Sequence, residues 1–384
     1  MTSIKEFNLL DVRKNTQIIS TLNKVYKLWG YEEVSPSVIN KLEILKSREV
    51  INQNELVSLV SNKALCLRPE MTTSIVKLIS TRLINKKRPL RLWNNGTIFE
   101  KKEGYKNVEL FKERIQSGIE LIGYKCDYPE IEVINILFDA IDKLKLKDEC
   151  ELKFLVSSTT IMDLILEKYI NNKYERIKKI MISLDHDNLN KLDINEEEKN
   201  ILKKLLYMRG EPRKVIDNLI EIFGKNKVLD DLIFLFNTIC SLAKNYGVEI
   251  QLDPTFQPHL NLYKGTVFQL ICIKNSEKII IAKGGRYDEL VKHFNPKEIA
   301  ANGLGFSISV DNLRDLIKEE KNNEKKVLIV FKEKELLSRA LLEQKKLHDF
   351  GTVSIVEMSP CKTDEQAEFI MKENKCTDIK WIKI

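Results

Sequence analysis

The sequence predicts an α+β chain, on three observations. An alternating apolar run, Thr266–Ile273, leads through a polar turn into a second strand, Lys278–Ala282, the pattern of a hairpin. Residues 158–246 are mostly of helical spacing, and no glycine lies between Gly123 and Gly210. Residues 327–384 alternate strand and helix.

Taken in order, residues 11–29 read as an amphipathic helix, with Ile18, Ile19, Leu22, Val25, Tyr26 and Trp29 at helical spacing and Gly30 as its stop. A strand over 32–35 is closed by Pro36, and another covers 64–67. Arg68-Pro69-Glu70 then opens a helix over about 71–83, since proline suits a first turn and glutamate its positive end. Strands follow at 91–99 and 115–122, with charged residues 100–114 read as the loop between them. Pro129 starts a helix to about Leu144, and a strand covers 151–157. After the helical block, strands resume at 248–252 and in the hairpin, and Gly303-Leu-Gly305 leads into a helix to about Lys318. The expected division is a core over 1–318 with a helical insertion at about 158–246, a charged linker at 319–326, and a small βαβαβ unit at 327–384. Parallel strands in that unit would require right-handed crossovers.

At 384 residues the chain exceeds one average domain, and its 43% hydrophobic and 31% charged residues suit a soluble globular protein. A net charge of +7 is mild over this length, and much of it is lysine on helix faces. With no cluster of aromatic and basic side chains for stacking, it does not argue for nucleic acid. No apolar run is long enough to span a membrane, and the N-terminus lacks the apolar core of a signal peptide. Seven scattered cysteines without a Cys-x-x-Cys pair, and four isolated histidines, argue against a zinc site. They fit reduced thiols in the cytoplasm.

Lys283-Gly284-Gly285-Arg286-Tyr287-Asp288 ends the hairpin. Glycine permits close approaches that a Cβ would block, so this backbone can lie against a small ligand, with Arg286 and Tyr287 beside it. A tight strand-to-helix turn without a ligand is the plainer alternative.

Four fragments stand in fixed order: Leu67-Arg-Pro-Glu-Met-Thr-Thr-Ser74; Arg91-Leu-Trp with Gly96-Thr-Ile-Phe99 and Gln116-Ser-Gly-Ile-Glu120; Tyr263-Lys-Gly-Thr-Val-Phe268 with Gly284–Asp288; and Gly303-Leu-Gly-Phe-Ser307 with Asp311-Asn-Leu313. Over residues 11 to about 318 they resemble the catalytic core of histidyl-tRNA synthetase, a class II aminoacyl-tRNA synthetase. The resemblance implies an antiparallel sheet flanked by helices, and a dimer. It implies that Glu70 and Thr72 hold a ligand's α-ammonium, with Gln116 near its amino and carboxyl end. Glu120 and Tyr263 would face an imidazole, and Tyr287 would line the same pocket. A buried carboxylate there would favour a protonated or hydrogen-bonded ring. Each residue also has a plainer role: Glu70 as a helix-dipole partner, Thr72 as an exposed first-turn residue, Gln116 and Glu120 on a solvated strand face, and both tyrosines in the core.

The departures decide the expected function. Where class II synthetases carry an arginine that clamps the ATP α-phosphate, this chain has Glu100; where they carry a second ATP-binding arginine, it has Asn312. Arginine suits phosphate because its planar fork donates two charge-assisted hydrogen bonds. Donors aimed at developing charge are worth on the order of 10²–10³ in rate. Like charges about 4 Å apart repel by roughly 4 kcal/mol at an effective dielectric near 20. Adenylation should therefore be lost. A substitute cation at Lys101 or Lys102 would lack the fork. Pro258-His-Leu-Asn-Leu-Tyr263 stands where synthetases have Arg-Gly-Leu-Asp-Tyr-Tyr, leaving little positive charge for a free carboxylate, with His259 a possible local contact.

These departures resemble the family of ATP phosphoribosyltransferase regulatory subunits, which favours Met-Thr-Thr at Met71–Thr73, although aspartate is common there at the position of Glu70. At about 58 residues the C-terminal unit is short for a synthetase anticodon-binding domain. The resemblance implies a non-catalytic subunit, without cofactor or metal. It would pair with a short-form catalytic subunit in the first step of histidine biosynthesis, with histidine as effector. The alternatives are an active histidyl-tRNA synthetase and a synthetase-like protein of RNA binding or translation control.

Overall fold

The computed structural model describes residues 6–43, 55–103, 109–169, 174–257, 263–295, 301–318 and 325–383. The loop at 258–262, with His259 and Asn261, lies outside the described residues, as does most of the expected linker. The chain divides into two compact units, Met1–Ile317 and Lys318–Ile384.

Helix α1 (Leu9–Leu28) buries Ile18, Leu22, Val25 and Tyr26 along one face, and the Asn8 side chain caps it by accepting the Asp11 N–H at 2.9 Å. Strands β1 (Glu32–Glu33), β2 (Ile39–Lys41) and β3 (Leu65–Leu67) follow, then helix α2 (Thr72–Arg82). Next come β4 (Leu90–Glu103), β5 (Glu109–Ile122), helix α3 (Pro129–Lys143) and β6 (Glu151–Ser158). The helices α4 (Thr159–Tyr169), α5 (Tyr174–Ser183), α6 (His186–Asn190), α7 (Glu196–Tyr207), α8 (Pro212–Phe223) and α9 (Lys227–Tyr246) come in succession. The first unit closes with β7 (Val248–Leu252), β8 (Thr266–Lys274), β9 (Glu277–Arg286), α10 (Asp288–Phe294), β10 (Gly303–Ser309) and α11 (Val310–Arg314).

Among the described residues the main sheet has eight strands, in the order β1-β4-β5-β10-β9-β8-β6-β7. The expected antiparallel core is present, and the sheet is mixed only at its two edges, where β1 runs parallel to β4 and β6 parallel to β7. The small β2–β3 sheet is antiparallel; the sequence reading passed over β2.

Alternation along the strands sorts the two faces. Ile119 and Leu121 on β5, and Leu304, Phe306 and Ile308 on β10, enter the main core with α1 and α3. Phe138 of α3 meets Phe154 of β6 edge-on at 5.2 Å, and Phe154 meets Phe268 of β8 at 5.2 Å. Burying each such ring contributes about 1.5–3 kcal/mol relative to exposure. The alternate residues, Gly118 and Glu120 on β5 and Gly305 and Ser307 on β10, face the other way, where a cavity opens.

Four expectations are corrected. Residues 100–103 and 109–114 are not loop: β4 and β5 pair from Leu90↔Ile122 to Glu103↔Glu109. Toward its outer end this ribbon carries the exposed Phe111, Lys112 and Glu113, so it shows no apolar alternation, and its charges marked solvent rather than irregular backbone. Gly284 and Gly285 belong to β9 rather than to a turn, and Gly303–Ser309 is a strand where a helix entry was read. Cys150 and Cys272 are disulfide-bonded, so the reading of seven reduced thiols fails at this pair; Leu152 sits opposite Cys272, which brings the two cysteines within 5.9 Å, Cα to Cα. Among the described residues no helix is long and apolar enough to cross a membrane.

In the second unit, β11 (Lys326–Phe331), α12 (Leu337–Asp349), β12 (Val353–Val356), α13 (Asp364–Glu373) and β13 (Asp378–Ile382) form a parallel sheet of order β12-β11-β13. The run Val327-Leu-Ile-Val-Phe331 is apolar throughout because both faces are covered. Val327, Ile329 and Phe331 pack with Leu336 and Ala340, while Leu328 and Val330 pack with Ala367.

Candidate functional site

The cavity has a volume of about 450 Å³, within the range of small-molecule sites. Its floor is the sheet, read in transverse rows. One row is Leu92–Glu120–Gly305–Gly285–Val267 across β4, β5, β10, β9 and β8. The next is Asn94–Gly118–Ser307–Lys283–Gln269, every member of which lines the cavity. Gln116 follows on β5, between Gly96 and Ser309. Glu70, Met71 and Thr72, at the start of α2, form part of the opposite wall.

Glu120 is the chemical centre. It is 3% exposed. Thr72 Oγ1 donates to its Oε1 at 2.8 Å, and the Tyr287 hydroxyl donates to its Oε2. Burial pushes its carboxyl up to about 8, against the pull of those two donors and with a further push from Glu70. Glu70 itself accepts the Thr73 N–H at 3.0 Å, joining it to the first turn of α2, and burial raises its carboxyl too. Two carboxyls thus share one cavity with Tyr263, whose hydroxyl burial also pushes up. Such a site favours a ligand that brings positive charge or N–H donors.

Of the expected site residues, Glu70, Thr72, Gln116, Glu120 and Tyr263 line the cavity together. Tyr287 does not line it: the ring is 1% exposed and reaches Glu120 from behind, so it orients the carboxyl. Arg286 is corrected. Its Nη2 lies 2.6 Å from Glu130 Oε1 and its Nε 3.1 Å away, with its guanidinium 5.5 Å from the Tyr124 ring centroid. It braces β9 to the start of α3 and touches no cavity wall.

The sequence reading missed Asn94, Gln269, Lys283 and Ser307. Lys283 corrects the expectation that little positive charge remained, since it and Lys101 both line the cavity. Period-two alternation was the available signal: Lys283 lies two residues before Gly285 and shares its face. The glycine pair makes room for rings. A Cβ on Gly285 would come within 2.8 Å of Tyr263 Cδ1, and one on Gly284 within 2.5 Å of the Phe268 ring. Gly305 is the tightest position, with a Cβ there 2.0 Å from Glu120 Oε2 and 2.3 Å from the Ile119 carbonyl. A backbone carbonyl cannot rotate aside, so Gly305→Ala is expected to destabilise the fold by about 3 kcal/mol and to displace Glu120. Chemical unfolding checks the first effect and ligand titration the second.

Both positions where synthetases grip phosphate are engaged otherwise. Glu100 forms an ion pair with Arg114 at 3.1 Å. Asn312 donates from Nδ2 to the Ile280 carbonyl at 2.7 Å. Among the described residues, no group of three or more His, Cys, Asp or Glu could hold a metal ion.

The family model described as histidyl-tRNA synthetase matches residues 3–313. A protein named ATP phosphoribosyltransferase regulatory subunit, from Prochlorococcus marinus subsp. pastoris (strain CCMP1986 / NIES-2087 / MED4), is 59% identical over 383 residues, covering 100% of both chains. One of the same name from Synechococcus sp. (strain CC9902) is 33% identical, covering 99% of this chain and 98% of its own. Among solved structures, an ATP phosphoribosyltransferase regulatory subunit/histidyl-tRNA synthetase from Bacillus halodurans shares the fold with a TM-score of 0.81 at 21% identity, covering 98% of this chain and 96% of its own. The histidyl-tRNA synthetase from Nostoc sp. PCC 7120 does so with a TM-score of 0.76 at 17% identity, covering 97% and 89%.

Proposed function

Since the chain belongs to the family of ATP phosphoribosyltransferase regulatory subunits, we propose that it is the non-catalytic partner of a short-form ATP phosphoribosyltransferase. It serves the first step of histidine biosynthesis, a glycosyl transfer in which phosphoribosyl pyrophosphate reacts with ATP. The complex works in the cytoplasm, and the core also pairs with a second copy of itself. Histidine is the effector and occupies the cavity over Glu120.

The observation that carries the non-catalytic reading is the use of Glu100 and Asn312. Glu100, paired with Arg114, puts a carboxylate where a triphosphate would need an arginine fork, and an amide bonded to Ile280 offers no guanidinium either. The acidic, tyrosine-walled cavity supports the effector: an imidazole takes the proton that Glu120 holds, and the ammonium lies beside Glu70 and Thr72. Histidine then biases the complex by binding its arrangements unequally, a coupling of about 1–3 kcal/mol that is reciprocal.

Reconstitution tests this. The short catalytic subunit alone should be nearly inactive, become active with this chain, and lose activity on adding histidine. ATP–pyrophosphate exchange with histidine should be undetectable. Robust exchange, or a catalytic subunit indifferent to this chain, would refute the reading.

A further inference from the structure

We infer that Lys283, in the transverse row Asn94–Gly118–Ser307–Lys283–Gln269, is the cation that receives the ligand's carboxylate, in place of the arginines that this fold has lost here. The inference rests on the histidine reading of the cavity and names the specificity determinant that reading lacked.

Glu120 and Lys283 stand two strands apart, on β5 and β9, and in neighbouring same-face rows. At about 4.8 Å per strand and about 3.4 Å per residue, their backbones are about 12 Å apart. Two long side chains reaching over the same floor from that separation leave a gap of single-amino-acid size. Lys101 also lines the cavity, but from the outer part of β4, nine residues past Leu92, the partner of Glu120, and so outside both rows.

The row itself is built for a polar guest. Asn94 is 2% exposed, and its Oδ1 accepts no hydrogen bond. Buried side-chain acceptors are nearly always satisfied, so this one points to a ligand N–H donor at the same end of the cavity. Ser307, between Gly118 and Lys283 in the row, adds a hydroxyl that can donate to a carboxylate oxygen. An amino acid thus meets an acceptor and two donors at its backbone end, and Glu120 at its side-chain end.

The test is calorimetric titration of histidine and of histamine, which lacks the carboxylate, into the chain in complex with its catalytic subunit. A hydrogen bond to a charged group is worth enough to shift affinity by about tenfold or more. Lys283→Gln should weaken histidine at least tenfold and leave histamine unchanged, and Lys283→Arg should restore most of the loss. Equal weakening of both ligands, or an unaltered histidine affinity, overturns the assignment of Lys283 alone. Absence of histidine binding to the unsubstituted complex overturns the histidine reading, and this inference with it.

Discussion

Glu120→Gln should lower histidine affinity at least about 100-fold, the largest effect expected of any single substitution in the cavity. Glutamine keeps the size of the side chain; its oxygen still accepts from one of the Thr72 and Tyr287 hydroxyls, and its NH2 can donate to the other once that hydroxyl rotates, so the fold should survive. What it removes is the charge. Losing one partner of a buried, hydrogen-bonded charge pair typically costs about 2–5 kcal/mol. The same substitution should flatten the pH dependence. With the Glu120 carboxyl raised to about 8 and a free imidazole titrating near 6.5, three regimes follow. Between those values an empty protonated Glu120 passes its proton to a neutral imidazole, and affinity is level. Below about 6.5 the ligand arrives already protonated and Glu120 must release its proton, so affinity falls as pH drops. Above about 8 the Glu120–imidazole pair must take up a proton, so affinity falls as pH rises. Calorimetry in buffers of different ionisation enthalpy measures this proton balance. A histidine affinity that is flat in pH, or unchanged in Glu120→Gln, would defeat the ion-pair account.

The same carboxyl governs part of the empty protein's stability. Its folded value lies above the ordinary 4.5, so its contribution is complete below that pH and is lost as pH rises to about 8. Glu120→Gln should remove that slope from the unfolding curve.

Arg286→Met should destabilise the first unit by about 3 kcal/mol, with several degrees lost from Tm. Glu130 is only 6% exposed at its side chain, and the guanidinium supplies its short contact at 2.6 Å. Removing the arginine strands a buried carboxylate, and that, rather than a lost attraction, is the main cost. The expected loss is at the low end of the range for buried pairs because the arginine side chain is 26% exposed. The double substitution Arg286→Met with Glu130→Leu should recover much of the loss. Histidine affinity should change little in either variant once they are folded. A large affinity loss with unaltered Tm would return Arg286 to the cavity, as the sequence first suggested.

Much of the architecture was legible because period and punctuation report local geometry. The α1 stripe, the proline-opened α3, the β8–β9 hairpin and the alternation in residues 326–383 all carry those signals. The outer ends of β4 and β5 did not, since a ribbon carrying exposed charges at its tip reads as a loop. Part of the cavity was legible for another reason: Glu70, Thr72, Gln116, Glu120 and Tyr263 stand in motifs whose order could be matched. Asn94, Lys283, Ser307 and Gln269 come from four different strands, and no spacing within the chain marks them as neighbours.

By itself the sequence determined which side chains were present to do chemistry: a glutamate and an asparagine where phosphate would need guanidinium groups, and an acid, a threonine and tyrosines for a basic ligand. Only the tertiary structure decided which way each one faced. Tyr287 lies behind Glu120, Arg286 serves Glu130, and Lys283 joins the cavity floor. The physical reason is that a strand's alternation fixes only two faces, while the pairing of strands distant in sequence determines what each face meets.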